Sequence, residues 1–468
     1  MLVTILFILY GLIAITIVLS LLVNGVRPAK TLAWLLAIFT IPVGGILLYI
    51  MVGRNRRKNK LIRIKKRIDF TPPLFDYNKL PEEVHKHRKI ISLVEKNCSF
   101  SPTLGNSVMY LKDGKTTFET IFQALETAVS FIHLQYYIFE EGELANNLLD
   151  LFYKKIGEGV KIRLIYDEIG SFSLSKSYLK KLRDMGVEVY PFLPFRFGRF
   201  LVALNYRNHR KIIVVDENIA FTGGINISDK YLKGDTALGK WHDMHLKIEG
   251  PAVEHLNRVF LSDWLLVSEQ EVDSPKKKYL EHGMPGKKII QIVSSGPDAD
   301  FPAIEQIYFS IINQAKKYLY ITNPYIIPGY AIMTALETAA LSGIDVRIMV
   351  SETSDSRLVD WSVRSYFEPL LKAGVKIYLF SDGFLHSKTM LSDDSIASVG
   401  TANIDIRSFE QNYEVNALVY DTDFAKELKQ DFLTDSNKSI QLKYEKHTKR
   451  PWIDKLKEGA ARIFSPIL

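Results

Sequence analysis

The chain is written twice. "GEGVKIRLIYD" (Gly157 to Asp167) returns as "LSGIDVRIMVS" (Leu341 to Ser351), and "LRDMGVEVYPF" returns as "LKAGVKIYLF". "HDMHLKIEGPAVEHL" is followed much later by "NYEVNALVYDTDFAKEL". Each copy alternates short apolar runs with helical patterns, which predicts an α/β fold. A period this long is no solenoid; it is the duplication of a whole lobe. Two such lobes can pack about a pseudo-twofold axis and build one site from matching pieces. From these patterns we place the first lobe at 100–270, a polar linker at 271–288 and the second lobe at 289–468.

Within each copy sits a twin motif. "HRKIIVVDENIAFTGGIN" (His209 to Asn226) matches "HSKTMLSDDSIASVGTAN" (His386 to Asn403). Ile212 to Val215 is β-branched throughout and reads as a buried strand. Strand alternation puts His209 and Lys211 on one face, and likewise His386 and Lys388. Asp216 and Asp393 open the turns that follow, and the glycines beyond allow close backbone approach. Duplication alone would keep the apolar pattern; it gives no reason to keep His, Lys and Asn at matched offsets.

Two His, two Lys and two Asn facing one another make a cationic, donor-rich pocket, which suits a phosphate and its transition state. No Gly-x4-Gly-Lys-Ser/Thr loop is present, and no cluster has metal-ligand spacing, so no cofactor or metal is expected. The single Cys98 excludes an internal disulfide. One imidazole can attack phosphorus while the other protonates the leaving alkoxide.

The paired HxKx4D motifs resemble the phospholipase D superfamily. Within it, "VRPAKTLAWLL", "QIVSSGPD", "GTANIDIRSFEQNYEVN" and the terminal "RIFSPIL" resemble the bacterial cardiolipin synthases over nearly the whole chain. The resemblance implies two phospholipase D-like lobes and a metal-free phosphatidyl-histidine mechanism. Its substrate and product would be phosphatidylglycerol and cardiolipin. His209 is assigned as nucleophile and His386 as general acid and then base; the near symmetry of the motifs leaves the reverse open. Lys211, Lys388, Asn226 and Asn403 would hold the non-bridging oxygens. Asp216 and Asp393 complete the catalytic motifs, with turn positions that suit a structural role as well. Asp243 and Glu414 occupy matched positions from which each can fix an imidazole tautomer; a satisfied strand-end carboxylate is the alternative. Gln135 departs from the Glu that such synthases often carry.

The first 53 residues differ in kind. Met1 to Asn24 and Thr31 to Val52 carry no charge, which predicts a hairpin of two membrane-spanning helices. Residues 54–99 read as a basic juxtamembrane linker. Arg54 to Arg67 holds nine Lys and Arg and no acid, which would keep both termini and the lobes on the cytoplasmic side of the inner membrane. Between Gly186 and His209 the first copy spends 23 residues where the second, from Gly374 to His386, spends 12. The extra length carries Phe192, Phe195, Arg196, Phe197, Arg199 and Phe200, which we read as a second lipid contact at the mouth of the site. The rival functions are a hydrolytic membrane phospholipase D, a nuclease of the same superfamily, and a non-enzymatic anionic-lipid scaffold. Two spans ahead of the site argue against nucleic acid as a partner, and two intact motifs argue against a scaffold.

Overall fold

The computed structural model describes residues 2–23, 28–49, 75–193, 206–272 and 283–467. The chain forms two compact units, an N-terminal hairpin and a larger body holding both lobes.

In the hairpin, α1 (Leu2–Val23) is followed by α2 (Pro28–Thr40) and α3 (Pro42–Leu48). The second apolar run is therefore broken rather than continuous. Pro42 has no N–H to continue α2, and Ile41 before it leaves the helical region (φ −127°, ψ 76°). Over the described residues, no helix is long and apolar enough to cross a membrane. The helices pack through Ala14, Ile17, Leu21, Ile38 and Ile46, and the Tyr10 hydroxyl donates to the Ile38 carbonyl at 2.9 Å. Many outward side chains are apolar and exposed, among them Ile8, Leu12, Leu19, Leu36 and Val43.

The first lobe contributes β1 (Thr103–Leu111), β2 (Phe131–Tyr136), β3 (Lys161–Asp167), β4 (Glu188–Phe192), β5 (Arg207–Asn208), β6 (Ile212–Val215), β7 (Ile219–Gly223), β8 (Trp241–His242) and β9 (His245–Glu249). The second contributes β10 (Lys288–Ser295), β11 (Tyr318–Thr322), β12 (Ile326–Ile327), β13 (Asp345–Ser351), β14 (Lys376–Phe380), β15 (Phe384–Leu385), β16 (Thr389–Ser392), β17 (Ile396–Gly400), β18 (Ile404–Asp405), β19 (Asn412–Tyr420) and β20 (Ile440–Gln441). The order β4-β3-β2-β6-β7-β9-β1 in one lobe continues as β10-β19-β17-β16-β11-β13-β14 in the other. Each order is the mirror of its partner, and the lobes join where β1 pairs antiparallel with β10. The duplication is thus a single continuous sheet with a pseudo-twofold at its centre. In both lobes the βαβ strands pair in parallel, as crossover helices require.

Helices cover both faces. Ala252–Ser268 and Thr422–Lys438, equivalent in the two copies, seal a core shared by both lobes through Val253, Leu256, Val259, Phe424, Leu428 and Phe432. Residues 77–98 do not form the linker expected from their charge. Arg88–Cys98 is a helix that buries Ile90, Ile91 and Val94 against Ile304, Ile307 and Ile311 in the core of the second lobe. Its apolar positions recur at helical spacing beneath a basic exterior, and burial of that stripe decides its place.

Candidate active site

Each HxK segment follows a two-residue strand that pairs across the lobe boundary. β5 runs parallel to the start of β19 (Arg207 with Asn412, Asn208 with Tyr413), and β15 runs parallel to β8 (Phe384 with Trp241, Leu385 with His242). The pairing ends in matching hydrogen bonds: His209 N–H to the Tyr413 carbonyl at 2.9 Å, and His386 N–H to the His242 carbonyl at 2.8 Å. Each histidine is thereby set beside a buried carboxyl group of the opposite lobe. His209 Nδ1 lies 3.0 Å from Glu414 Oε2, and His386 Nδ1 lies 2.6 Å from Asp243 Oδ2. A carboxylate on Nδ1 selects the tautomer with Nδ1–H and leaves the Nε2 lone pair free. Both histidines keep only 8% of their surface exposed, so a substrate meets an imidazole edge and little else.

The lysines are deeper still. Lys211 donates to the His209 carbonyl at 2.8 Å, and Lys388 donates to the His386 carbonyl. Burial pushes Lys211 down to about 7 and Lys388 to about 8, and Lys388 adds to the effect on Lys211. Burial, with both lysines and His386 nearby, pushes His209 well below the usual imidazole range. His386 is lowered by burial and Lys388, but Asp243 opposes the shift.

The two carboxylates differ. Burial raises Glu414 to about 7 against the pull of Lys211 and a 2.5 Å hydrogen bond from Thr401 Oγ1. Burial works to raise the pKa of Asp243 too, but Lys388 and His386 outweigh it and hold the carboxyl below the ordinary carboxylate range. The local chain explains the difference in reach. Where the second lobe has Thr401, the first has Gly224, and a Cβ there would stand 2.0 Å from Asp243 Oδ1. The short carboxylate therefore needs glycine, and the long one is met by a hydroxyl.

Asn226 accepts from Ile138 N–H at 3.2 Å and donates to Tyr231 Oη at 3.3 Å. Tyr231 Oη in turn lies 3.4 Å from both His386 Nδ1 and Asp243 Oδ2. Asn403 keeps a buried Oδ1 with no partner. The structure does not bring Asp216 and Asp393 into the site. Each accepts three backbone N–H groups at the start of an adjoining strand: Val129, Ser130 and Phe131 for Asp216 at 2.7–2.9 Å, and Lys316, Lys317 and Tyr318 for Asp393 at 2.7–3.0 Å. Both also sit at positive φ in tight hairpin turns. Their part in the motif is structural: they tie the turn to the next strand. Phe192, expected at a lipid contact, belongs instead to the lobe boundary. It is buried and meets the Tyr413 ring edge-on at 5.0 Å, across the lobe boundary. Phe195, Arg196, Phe197, Arg199 and Phe200 lie outside the described residues.

Repeat matching missed the asymmetric residues. Tyr137 meets the His209 ring edge-on at 4.8 Å, and Lys211 Nζ lies 5.3 Å over it; its counterpart in the second copy is Pro324. Tyr231 corresponds to Ser408. Arg210, between the first His and Lys, corresponds to Ser387. Arg210 is buried and crosses the boundary, bonding Asp263 at 2.7 Å, the Ser295 carbonyl at 3.0 Å and the Glu414 carbonyl at 3.2 Å. Asp263 also accepts from Asn208 at 3.1 Å and from Gln135 at 2.5 Å. The amide at 135 thus supplies a donor where a carboxylate would face a second carboxylate.

A family model described as cardiolipin synthase, phospholipase D-like domain, matches residues 121–264 and 308–436, one segment in each lobe. The chain belongs to this family. A second model, described as a phospholipase D-nuclease N-terminal region, matches 8–54. The chain is 40% identical to a cardiolipin synthase of Geobacillus sp. over 94% of its length and 89% of that protein. It is 38% identical to the major cardiolipin synthase of Bacillus subtilis over 93% of both chains. In fold it is similar to a phosphatidylserine synthase of Haemophilus influenzae, with a TM-score of 0.62 at 14% identity over 83% of this chain and all of that one.

Proposed function

We propose that the chain transfers a phosphatidyl group from one phosphatidylglycerol to the hydroxyl of another, giving cardiolipin and glycerol. The observation that carries the chemistry is the crossed pairing of His209 with Glu414 and of His386 with Asp243, which makes one site that neither lobe completes. His209 is uncharged in this cationic pocket, so its Nε2 lone pair is available to attack phosphorus. The P–O bond to glycerol breaks as the P–N bond forms, and His386, beside anionic Asp243, gives the departing alkoxide its proton. In the second half His386 takes a proton from the incoming lipid hydroxyl. That oxygen displaces His209. Lys211, Lys388, Asn226 and Asn403 hold the non-bridging oxygens, and a bound phosphodiester anion restores full charge to both lysines. Incubating the full-length protein in vesicles with headgroup-labelled phosphatidylglycerol should release labelled glycerol and form cardiolipin. Phosphatidate as the main lipid product would make it a hydrolase instead.

The exposed apolar exterior of α1–α3 supports a hairpin seated in the bilayer, with 54–67 and the lobes on the cytoplasmic side. A cysteine placed at Lys58 should react with an impermeant reagent in inverted vesicles and not in intact cells. The reverse pattern would refute this orientation. The aromatic segment 195–200 is proposed as a further acyl-boundary contact. Changing Phe195, Phe197 and Phe200 to Ser should lower transfer to lipid acceptors while a soluble short-chain diester is still cleaved, and equal loss of both would contradict it.

A further inference from the structure

On the second lobe, away from the catalytic histidines, lies a groove of about 1040 Å³. It opens at the Asp393 end of β16, and Lys388 stands at the other end of that strand. Six cationic side chains line it: Lys86, Arg88, Lys89 and Lys96 around the helix Arg88–Cys98, and Lys316 and Lys317 from the loop before β11. None of the six makes an ion pair among the described residues. The one acid of the lining, Asp393, is committed to three backbone N–H groups.

Three observations mark this as more than a solvated face. The helix begins with Arg88 and Lys89, has no acid in its first turn and has no side-chain cap. Cations at a helix N-terminus oppose the dipole, and the free N–H groups there favour an anion. Next, His87 lines the groove while nearly fully buried; its Nε2 meets Ser395 Oγ at 3.1 Å, and its Nδ1 has no partner. Finally, the duplicated lobe serves as an internal control. Val129 and Ser130 fill the places of Lys316 and Lys317, with the same hydrogen bonds to Asp216. The lysines nearby, Lys154 and Lys155, are neutralised by Glu126 at 2.6 Å and Glu158 at 2.8 Å. The fold therefore does not require Lys316 and Lys317; the other four cations stand around a helix outside the duplication, with Arg88 lying 4.9 Å over the Tyr77 ring.

We propose that this groove docks the phosphate headgroups of an anionic bilayer surface and so holds the second lobe against the membrane that supplies its lipid. The proposal rests on the reading of the substrate as a membrane phospholipid. Headgroup phosphates match an open, multivalent cationic groove, and such an attraction falls as salt screens it.

The test uses the full-length protein in nanodiscs and reads backbone hydrogen exchange in 88–98 and 313–318. Discs with about 30 mol% phosphatidylserine should slow exchange in both segments roughly three-fold or more relative to phosphatidylcholine discs, and high salt should erase the difference. A variant combining Lys86→Gln, Lys89→Gln, Lys316→Gln and Lys317→Gln should lose that protection. It should keep its basal turnover in phosphatidylcholine discs at fixed phosphatidylglycerol. Equal exchange in both discs would overturn the proposal. So would protection by inorganic phosphate alone, which would mark a soluble-anion site, or stronger protection by a single-stranded oligonucleotide. Failure of the function reading would show separately, as no cardiolipin formed by the unaltered protein.

Discussion

Changing Asp243 to Asn should damage the enzyme far more than changing Glu414 to Gln, although the two acids occupy matching places. Each amide keeps an oxygen able to accept from Nδ1–H, and each can rotate to present N–H₂ and favour the wrong tautomer. What separates them is the charge each removes. Asp243 is ionised and 2.6 Å from His386, so Asn removes a charge-assisted bond that also supports the imidazolium the proposed mechanism requires of His386. Bonds to charged groups are worth about 1.5–3 kcal/mol. Loss of the correct tautomer can bring the cost of such a substitution to about 10⁴ in turnover. Burial lifts Glu414 to about 7, so it gives up its charge far more readily than Asp243, and it lies 3.0 Å from His209, which the proposed mechanism uses uncharged. Gln there imitates a form the protein already populates, so a loss of about 10- to 100-fold is expected. The assay is turnover of labelled phosphatidylglycerol by each variant at pH 7 in vesicles of one composition. Equal losses, or a larger loss from Glu414→Gln, would refute the unequal roles drawn for the two pairs.

Removing the Asp216 carboxylate with Ala should lower stability by about 2 kcal/mol, since three N–H groups lose their acceptor but two of them face water. An apparent Tm reduced by a few degrees with turnover nearly unchanged is expected, and a large loss of turnover without loss of stability would return Asp216 to the chemistry. Arg210→Met should cost about 3–5 kcal/mol by stranding Asp263 in the lobe boundary, and adding Asp263→Asn should recover part of it in a double-mutant cycle. The pH dependence follows from the lysines. Their folded values, about 7 and about 8, lie below that of free lysine, so the empty site loses charge as pH rises through that window. A bound phosphodiester restores that charge. Calorimetry of a non-reactive analogue near pH 8 should therefore show proton uptake and weaker binding than at pH 6.5.

Much of the site was legible because the duplication itself reports it. His209, Lys211 and Asn226 recur as His386, Lys388 and Asn403, and Asp243 recurs as Glu414. What repeat matching cannot report is which lobe's acid each histidine meets. That is set by β5 on β19 and β15 on β8, pairings between residues about two hundred positions apart in one case and far apart in both. It also passes over anything present in one copy only. Arg210, Tyr137 and Tyr231 shape the site, yet Ser387, Pro324 and Ser408 stand opposite them. Charge misled at 75–99, where basic residues on the outside concealed the apolar stripe of Ile90, Ile91 and Val94. The Asp of each motif was ambiguous for a different reason. A conserved spacing within the chain serves a turn as well as a reaction, and only the three N–H groups aimed at each carboxylate decide between them.

On the proposed mechanism, His209 carries the phosphatidyl group in one site shared by both lobes. His386→Ala removes the acid of the first half and the base of the second but leaves the nucleophile intact, so the adduct forms slowly and is not resolved. Incubated with labelled phosphatidylglycerol, quenched and digested, this variant should hold label on the peptide containing His209, while His209→Ala should hold none. Label on His386 in the His209→Ala protein would contradict the assignment, and full turnover in either variant would contradict the shared site.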